Sequence, residues 1–267
     1  MNETLKRAIS GTIYVVLLIV SINYSIESFI ALFGIFLLIA VVEFCNLVQL
    51  QKISSIIIAT GLYYVFYETP ANGKYDITIL ILTLFVSIKC VLFLFKDSQT
   101  TINSLSKYIY LIGYIILPFI IITRIPLGIR GYNPKIIISI FILIWTNDTF
   151  AFIVGKSIGK TKLFEKISPK KTIEGFIGGV IFTVIAGFLI SKYYIEGATD
   201  IWIIIALIVG IFGTIGDLIE SKFKRIAAVK DSGKIMPGHG GILDRLDSVI
   251  FVVPIVFLFY QILNYVS

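Results

Sequence analysis

Long apolar runs separated by short polar segments dominate this chain, and the runs do not alternate between polar and apolar residues. A bilayer is crossed either by helices of about 20 apolar residues or by barrel strands that alternate in polarity. The runs therefore predict helices, although they are rich in Ile and Phe, which favour strands in water. We expect nine spans, near residues 8–24, 28–48, 53–69, 76–95, 106–123, 136–155, 173–191, 200–219 and 246–265. The predicted fold class is an all-α, polytopic membrane bundle.

Composition supports a membrane protein. The chain has 267 residues, is 57% hydrophobic and only 15% charged, whereas soluble domains carry about 25% charged residues. The apolar run after Lys6 and Arg7 has no small-residue cleavage site behind it, so we expect a retained helix. Cys45 and Cys90 fall in or beside predicted spans and are expected to be packing residues without a disulfide.

The basic residues orient the predicted spans. With a cytoplasmic N-terminus and nine crossings, most of the 23 Lys and Arg residues lie in cytoplasmic segments, as the positive-inside rule requires. The net charge of +7 then reflects topology and attraction to anionic lipid. Nucleic acid is not an expected partner, because no platform of aromatic and basic residues accompanies the charge. In a bacterium this predicts a multi-pass protein of the inner membrane.

Chemistry is expected in the second half of the chain. Residues 1–135 are interpreted as scaffold helices and 136–267 as a catalytic membrane region with two basic cytoplasmic loops, the two forming one integral unit. Only Glu43 stands out in the first half. The predicted spans place seven carboxylates at one cytoplasmic level of the membrane: Glu43, Asp148, Glu174, Asp217, Glu220, Asp244 and Asp247.

Two of these carboxylate pairs have helical spacing. Asp217 and Glu220 are three residues apart at the end of the eighth predicted span, and Asp244 and Asp247 are three apart at the start of the ninth, so each pair shares a face. Facing pairs of like charge repel unless a cation lies between them, and hard divalent ions take oxygen ligands. We expect a metal site; pairing with nearby Lys and Arg is the alternative.

The basic loop at 156–172 has features of a phosphate site. Ser168 and Pro169 precede Lys170, Lys171 and Thr172 at an expected helix start, where free N–H groups and the positive helix end favour an anion. Taken alone, these lysines are equally consistent with a cytoplasmic loop that orients the membrane helices. The following Gly178 and Gly179 allow either approach of a ligand or ordinary helix packing.

Residues 237–241, Pro-Gly-His-Gly-Gly, contain the only histidine of the chain. Glycines around His239 argue against a packed core at this point. A general acid or base, a hydrogen bond to phosphate and a loop-closing contact are all open roles for this side chain.

The polar segments together resemble a known family. Ser221 to Arg225, Lys230 to Gly233, Pro237 to Gly241 and Asp244 to Asp247 are similar to the signature of the phosphatidate cytidylyltransferases, also called CDP-diacylglycerol synthases. Two upstream blocks, 145–155 and 168–175, resemble the same family, and so does the 216–221 segment. Asn147 departs from the Thr or Ser common in relatives. The resemblance is specific over 145–248 and weak before it.

The resemblance implies an enzyme that converts CTP and phosphatidate to CDP-diacylglycerol and pyrophosphate with Mg²⁺, a second cation being left open. It also suggests a homodimer. The catalytic residues it implies are Asp217, Asp244, Asp247, Lys224, Arg225, His239 and Arg245. The substrate-binding residues are Ser168, Lys170, Lys171, Thr172, Glu174, Ser221, Lys230, Asp231, Gly240 and Gly241. The metal ligands are Asp217, Asp244, Asp247 and Asp148.

Other functions remain as alternatives. An ion-coupled transporter would use carboxylates within helices, but such proteins tend to show paired repeats, and none is visible here. A CTP-dependent polyprenol kinase or a CDP-archaeol synthase would use a related nucleotide site. CDP-alcohol phosphotransferases are disfavoured, because their D-x-x-D-G-x-x-A-R motif does not occur in the sequence.

Overall fold

Nine helices and two short β-hairpins form the part of the chain that the computed structural model describes, residues 3–71, 73–96, 102–128 and 131–266. The helices are α1 Glu3–Tyr24, α2 Ile26–Val48, α3 Lys52–Glu68, α4 Lys74–Leu94, α5 Ser104–Arg124, α6 Pro134–Ile158, α7 Ile173–Ile195, α8 Thr199–Ile226 and α9 Leu243–Val266. The strands are β1 Leu127–Gly128, β2 Gly131–Tyr132, β3 Lys162–Phe164 and β4 Ser168–Thr172. Helices α5 and α7 each include a π-helical stretch, Leu111–Ile116 and Ser191–Ile195.

The predicted membrane bundle is confirmed. Each of the nine apolar runs forms a helix, and eight of the helices in the described residues are long and apolar enough to cross a membrane. The exception is α3, with 17 residues, which is about 25 Å of helix. Its two ends nevertheless reach the ends of α5: the Ser54 and Tyr108 hydroxyls are 3.5 Å apart, and Arg124 donates to the Thr69 carbonyl at 3.0 Å.

Contacts between helix ends give the directions of α1, α6, α7 and α9. At one end, Tyr132 donates to the Ile22 carbonyl at 2.7 Å, and Lys135 to the Tyr194 carbonyl at 3.0 Å. At the other end, Ser10 near the start of α1 lies 2.8 Å from the His239 ring, just before α9. We call this second end, where α1 and α9 begin and α8 ends, the site end.

Glycines bring the helices of the site end close together. A Cβ at Gly178 of α7 would lie 2.7 Å from Val154 of α6, and one at Gly179 would lie 2.7 Å from the Asn147 side chain. Helix packing, the second interpretation of these glycines, is therefore what the structure shows. In the same way, a Cβ added to Gly216 of α8 would lie 2.7 Å from the Asp247 carbonyl oxygen of α9.

Two features of the site end differ from the sequence prediction. The helix begins at Ile173, as expected, but residues 168–172 form a strand that pairs antiparallel with β3, so Lys170 and Lys171 lie on this strand. Thr172 explains the boundary, because its hydroxyl accepts the Gly175 N–H at 3.1 Å and caps α7. Asp217 and Glu220 do not close their helix, since α8 continues with charged residues to Ile226.

An aromatic cluster fixes the end of α8 in the bundle. Phe223 is buried, with its ring centroid 5.2 Å from Phe44, 5.1 Å from Phe93, 5.4 Å from Tyr110 and 5.7 Å from Tyr114. Burial of such a ring with edge-to-face neighbours stabilises the packing of α8 on α2, α4 and α5. The neighbouring Lys224 is consequently held at a defined place.

Candidate active site

A cavity of about 720 Å³ opens at the site end between α6, the β3–β4 hairpin, α7, α8 and α9. This volume lies in the range of small-molecule sites. Ten of the residues predicted from the sequence line it: Asp148, Lys170, Lys171, Thr172, Asp217, Lys224, Asp231, Asp244, Arg245 and Asp247. The predicted convergence of charges from separate helices is thus present in one cavity.

One ion pair crosses the cavity from the hairpin to α8. The Lys171 ammonium contacts the Asp217 carboxylate, and both side chains keep partial exposure, 27% and 30%. Ser221, one turn further along α8, donates to Asp217 Oδ1 at 3.2 Å. Because the pair is solvated, Lys171 can exchange Asp217 for another anion at small cost.

A second cation lies in the interior, between two carboxylates. Lys224 Nζ is 2.7 Å from Asp244 Oδ1 and also contacts Glu220, whose side chain is fully buried. The expected repulsion between the acidic pairs of α8 and α9 is therefore offset here by a lysine. For Glu220 and Asp244 the structure therefore shows pairing with a nearby basic residue, which was the alternative to a metal site.

Asp244 has its two oxygens fully engaged. Oδ1 receives Lys224, while Oδ2 receives the Ser232 N–H at 2.8 Å, the Ser232 hydroxyl at 2.9 Å and the Gly241 N–H at 2.7 Å. Gly240 has a φ of 89°, and a Cβ there would lie 2.5 Å from Oδ2. Asp244 thus holds the loop before α9 against the end of α8.

The cavity carboxylates fit a metal ion shared with a substrate. Among the described residues, no three Asp, Glu, His or Cys side chains are grouped so that they could hold a metal by themselves. Asp148, Asp217 and Asp247 do line the cavity, and Asp247 interacts electrostatically with both others. Mg²⁺ is often held by one or two carboxylates together with substrate phosphates. Metal binding by these three and by Asp244 stays a prediction.

Several predicted residues lie outside the cavity lining and brace the backbone around it. Arg225 donates to the Ile167 carbonyl at 3.3 Å and to the Val229 carbonyl at 3.2 Å. Glu174 accepts the N–H groups of Lys160 at 3.0 Å and Thr161 at 3.1 Å, which ties α7 to the hairpin. Ser168, Lys230, Gly240 and Gly241 are also outside the lining, and their substrate contacts stay predictions.

His239 makes the loop-closing contact. Its Nδ1 is 2.8 Å from the Ser10 hydroxyl, which also contacts the Pro237 carbonyl at 3.0 Å. Burial against α1, together with the charges of Arg245 and Arg7, lowers the pKa of the imidazole below its usual value. Of the three roles left open by the sequence, this docking onto α1 is the one that the structure shows.

Sequence reasoning missed partners that come from the first half of the chain. Glu43 of α2 contacts the Ser232 hydroxyl and the start of α9, and Ser10 of α1 receives the loop at His239. Neither residue lies in a motif, and Glu43 had only one signal, a lone carboxylate in an apolar run. The scaffold interpretation of residues 1–135 thus omits side chains that hold the site in place.

Comparisons with known proteins find one family along nearly the whole chain. A model of the cytidylyltransferase family matches residues 5–263. A phosphatidate cytidylyltransferase of Staphylococcus aureus (strain COL) is 48% identical over 128 residues, 47% of this chain and 49% of the relative. One from Staphylococcus haemolyticus is 50% identical over 121 residues, 45% of this chain and 46% of the relative. The chain thus spans about half the length of the curated relatives it matches.

Proposed function

The chain belongs to the cytidylyltransferase family, and from this premise we propose that it transfers the cytidylyl group of CTP to phosphatidate, giving CDP-diacylglycerol and pyrophosphate. The names of its relatives supply the lipid substrate. One observation carries the proposal: at the end of an apolar bundle, six cations and five carboxylates line a single cavity of about 720 Å³. The cations are Lys156, Lys162, Lys170, Lys171, Lys224 and Arg245, and the carboxylates are Asp148, Asp217, Asp231, Asp244 and Asp247.

The cations address the main obstacle to this reaction, which is that both substrates are anions. Lys170 is exposed on strand β4, and Lys171 beside it pairs with the partly solvated Asp217, so both can bind phosphate. Lys224 differs, because Glu220 and Asp244 fix its position before any substrate arrives. A fixed charge of this kind stabilises charge that develops during the reaction without reorganisation.

In the proposed reaction, an oxygen of the lipid phosphate forms a bond to the α-phosphorus of CTP. The bond from the α-phosphorus to the oxygen that bridges the β-phosphate breaks, and pyrophosphate leaves with that electron pair. Such a displacement needs positioning and charge neutralisation more than covalent help from the protein. Arg245 lies in the cavity lining, where it would neutralise pyrophosphate.

Asp148, Asp217 and Asp247 would hold Mg²⁺ jointly with the triphosphate, and a second cation remains part of the proposal. When bound, the metal would neutralise charge on the phosphates. Lys171, which pairs with Asp217, would bind the phosphates next to these carboxylates.

The bundle supports a membrane context for the proposed reaction. The chain is a multi-pass protein, and its basic segments at 156–172 and 222–234 flank the site end, which we place on the cytoplasmic side of the inner membrane. Phosphatidate would reach the cavity sideways between helices with its phosphate at this level. A homodimer is proposed as well, and nucleic acid is not a proposed partner.

Product analysis tests the proposed function. The purified chain, in micelles that contain phosphatidate, is given CTP and Mg²⁺, and lipid products are identified by mass spectrometry. We expect CDP-diacylglycerol and an equal amount of pyrophosphate. Diacylglycerol or a polyprenol in place of phosphatidate serves as the control. A phosphorylated polyprenol with release of CDP would instead indicate a kinase, and no product from any lipid would remove the enzyme proposal.

A further inference from the structure

Glu43 is a buried carboxylate on α2 that contacts the signature loop from the opposite half of the chain. Its relative exposure is 5%. Oε1 accepts the Ile242 N–H at 3.1 Å, and Oε2 accepts the Leu243 N–H at 2.8 Å. The Ser232 hydroxyl, which is 2.9 Å from Asp244, also lies 3.2 Å from Oε2. Groups from the loop and from the start of α9 thus converge on one side chain.

These contacts give α9 an N-terminal cap from another helix. The first N–H groups of a helix have no partner within it and carry a partial positive charge. Such a helix start is a common binding place for phosphate. Here Glu43 occupies the N–H groups of Ile242 and Leu243, so these two donors are not available to a substrate anion.

Glu43 also determines which residues the loop can contain. A Cβ added to Gly241 would meet both carboxylate oxygens of Glu43, and one added to Gly233 would meet its Oε1. Neither position can carry a side chain while Glu43 stays in place. The loop is thus confined between two carboxylates, Glu43 on one side and Asp244 on the other, and the Ser232 hydroxyl contacts both.

The same loop leads directly to the cavity. Ser232 and Gly241 donate to Asp244, and Asp244 holds Lys224. We propose that Glu43 is a positioning residue of the site: it fixes residues 231–241 and the start of α9, and through them Asp244 and Lys224. The consequence for turnover rests on the proposed function, whereas the consequence for the loop does not.

The test compares Glu43→Gln with Glu27→Gln in the full-length chain in micelles. Glu27 is an exposed glutamate on the same helix at the opposite end, so it controls for the substitution itself. Glutamine at 43 loses the charge, and its amide N–H₂ group would face at least one of the N–H donors of α9. Three quantities are measured: tryptic cleavage at the exposed Lys230 and Lys234, kcat, and KM for CTP.

For Glu43→Gln we expect loop cleavage to rise about tenfold or more, because hydrogen bonds to a charged acceptor are lost. We expect kcat to fall about 10- to 100-fold, the usual effect of losing a partner that orients functional side chains. KM for CTP should change less than about threefold, since the proposed phosphate-binding lysines lie on β4, away from Glu43. Glu27→Gln should match the wild type in all three.

A second variant, Ser232→Ala, keeps the proposal open to refutation if Glu43→Gln does not fold. It should raise cleavage less than Glu43→Gln, and the double variant should show clear non-additivity, as expected for groups in contact. Unchanged cleavage in both variants would overturn the proposal. So would a fall in thermal stability with unchanged kcat per folded molecule, which would make Glu43 structural only. If the wild type is inactive with phosphatidate, the proposed function fails, while the cleavage result still decides the role of Glu43.

Discussion

Replacing Lys224 by Met tests whether this lysine offsets the repulsion between the acidic side chains of α8 and α9. Lys224 Nζ contacts Glu220, whose side chain is fully buried, and lies 2.7 Å from Asp244, whose side chain is 4% exposed. Methionine keeps the length and the apolar stem of lysine but removes the charge. Two carboxylates then face each other in the interior with no cation between them.

The expected loss in the free energy of unfolding follows from the burial of these two carboxylates. Removing one partner of a buried ion pair destabilises a protein by about 3–5 kcal/mol, because the remaining charge is left without compensation. We expect a loss of this size in Lys224→Met. Adding Glu220→Gln to Lys224→Met should recover part of the lost stability, since Glu220 is the more buried of the two carboxylates and glutamine is neutral. A solvated pair such as Lys171 with Asp217 would cost about 1 kcal/mol or less.

Unfolding by SDS in mixed micelles, followed by the fluorescence of Trp145 and Trp202, measures the loss. Lys192→Met is the control, because Lys192 is an exposed lysine at the opposite end of the bundle. An unchanged midpoint in Lys224→Met would refute the reasoning. A double variant no more stable than Lys224→Met would show that Glu220 is not the group that needs the cation.

Three further predictions concern the cavity and the loop. Asp217→Asn should abolish turnover but keep the thermal midpoint of the wild type. Asp244→Asn should lose both turnover and stability, because Asp244 accepts from four donors. Equal thermal midpoints in the two variants would contradict this difference. Lys171→Met should raise KM for CTP about tenfold or more, as expected for loss of a charged phosphate contact. The control Lys192→Met should leave KM unchanged. An unchanged KM in Lys171→Met would remove Lys171 from the nucleotide site. The pKa of docked His239 is lowered, so the undocked imidazole protonates first as pH falls below about 6.5. The stability that docking contributes is therefore fully present above that pH and decreases as pH falls toward the lower pKa of the docked ring. The thermal midpoint of the wild type should therefore fall relative to His239→Gln between pH 7.5 and 5.5, and parallel midpoints would argue against this contact.

The sequence predicted the bundle because apolar runs in a bilayer have essentially one solution, the helix. It also predicted that Asp148, Asp217, Asp244 and Asp247 would meet, because alternating spans place the ends of α6, α8 and α9 at one level. Their partners could not be predicted, because spacing shows which side chains share a face but not which cation reaches them. The lysine between Glu220 and Asp244 is an example.

The β3–β4 hairpin and the role of Glu43 were beyond sequence reasoning for different reasons. The hairpin is short and polar, so its residues resemble any basic loop, and the cap by Thr172 decides where α7 begins. Glu43 acts on residues about 200 positions away in the sequence. A single polar residue in an apolar run indicates that a partner exists, but the fold is needed to identify it.

The most direct test of the proposed reaction uses CTP labelled separately at the α- and γ-phosphates, with the purified chain, phosphatidate and Mg²⁺. We expect that α-label enters the lipid and γ-label is recovered in pyrophosphate, and that Asp217→Asn transfers neither. Transfer of γ-label to the lipid, or release of CDP, would contradict it, because a different phosphorus would then have been attacked.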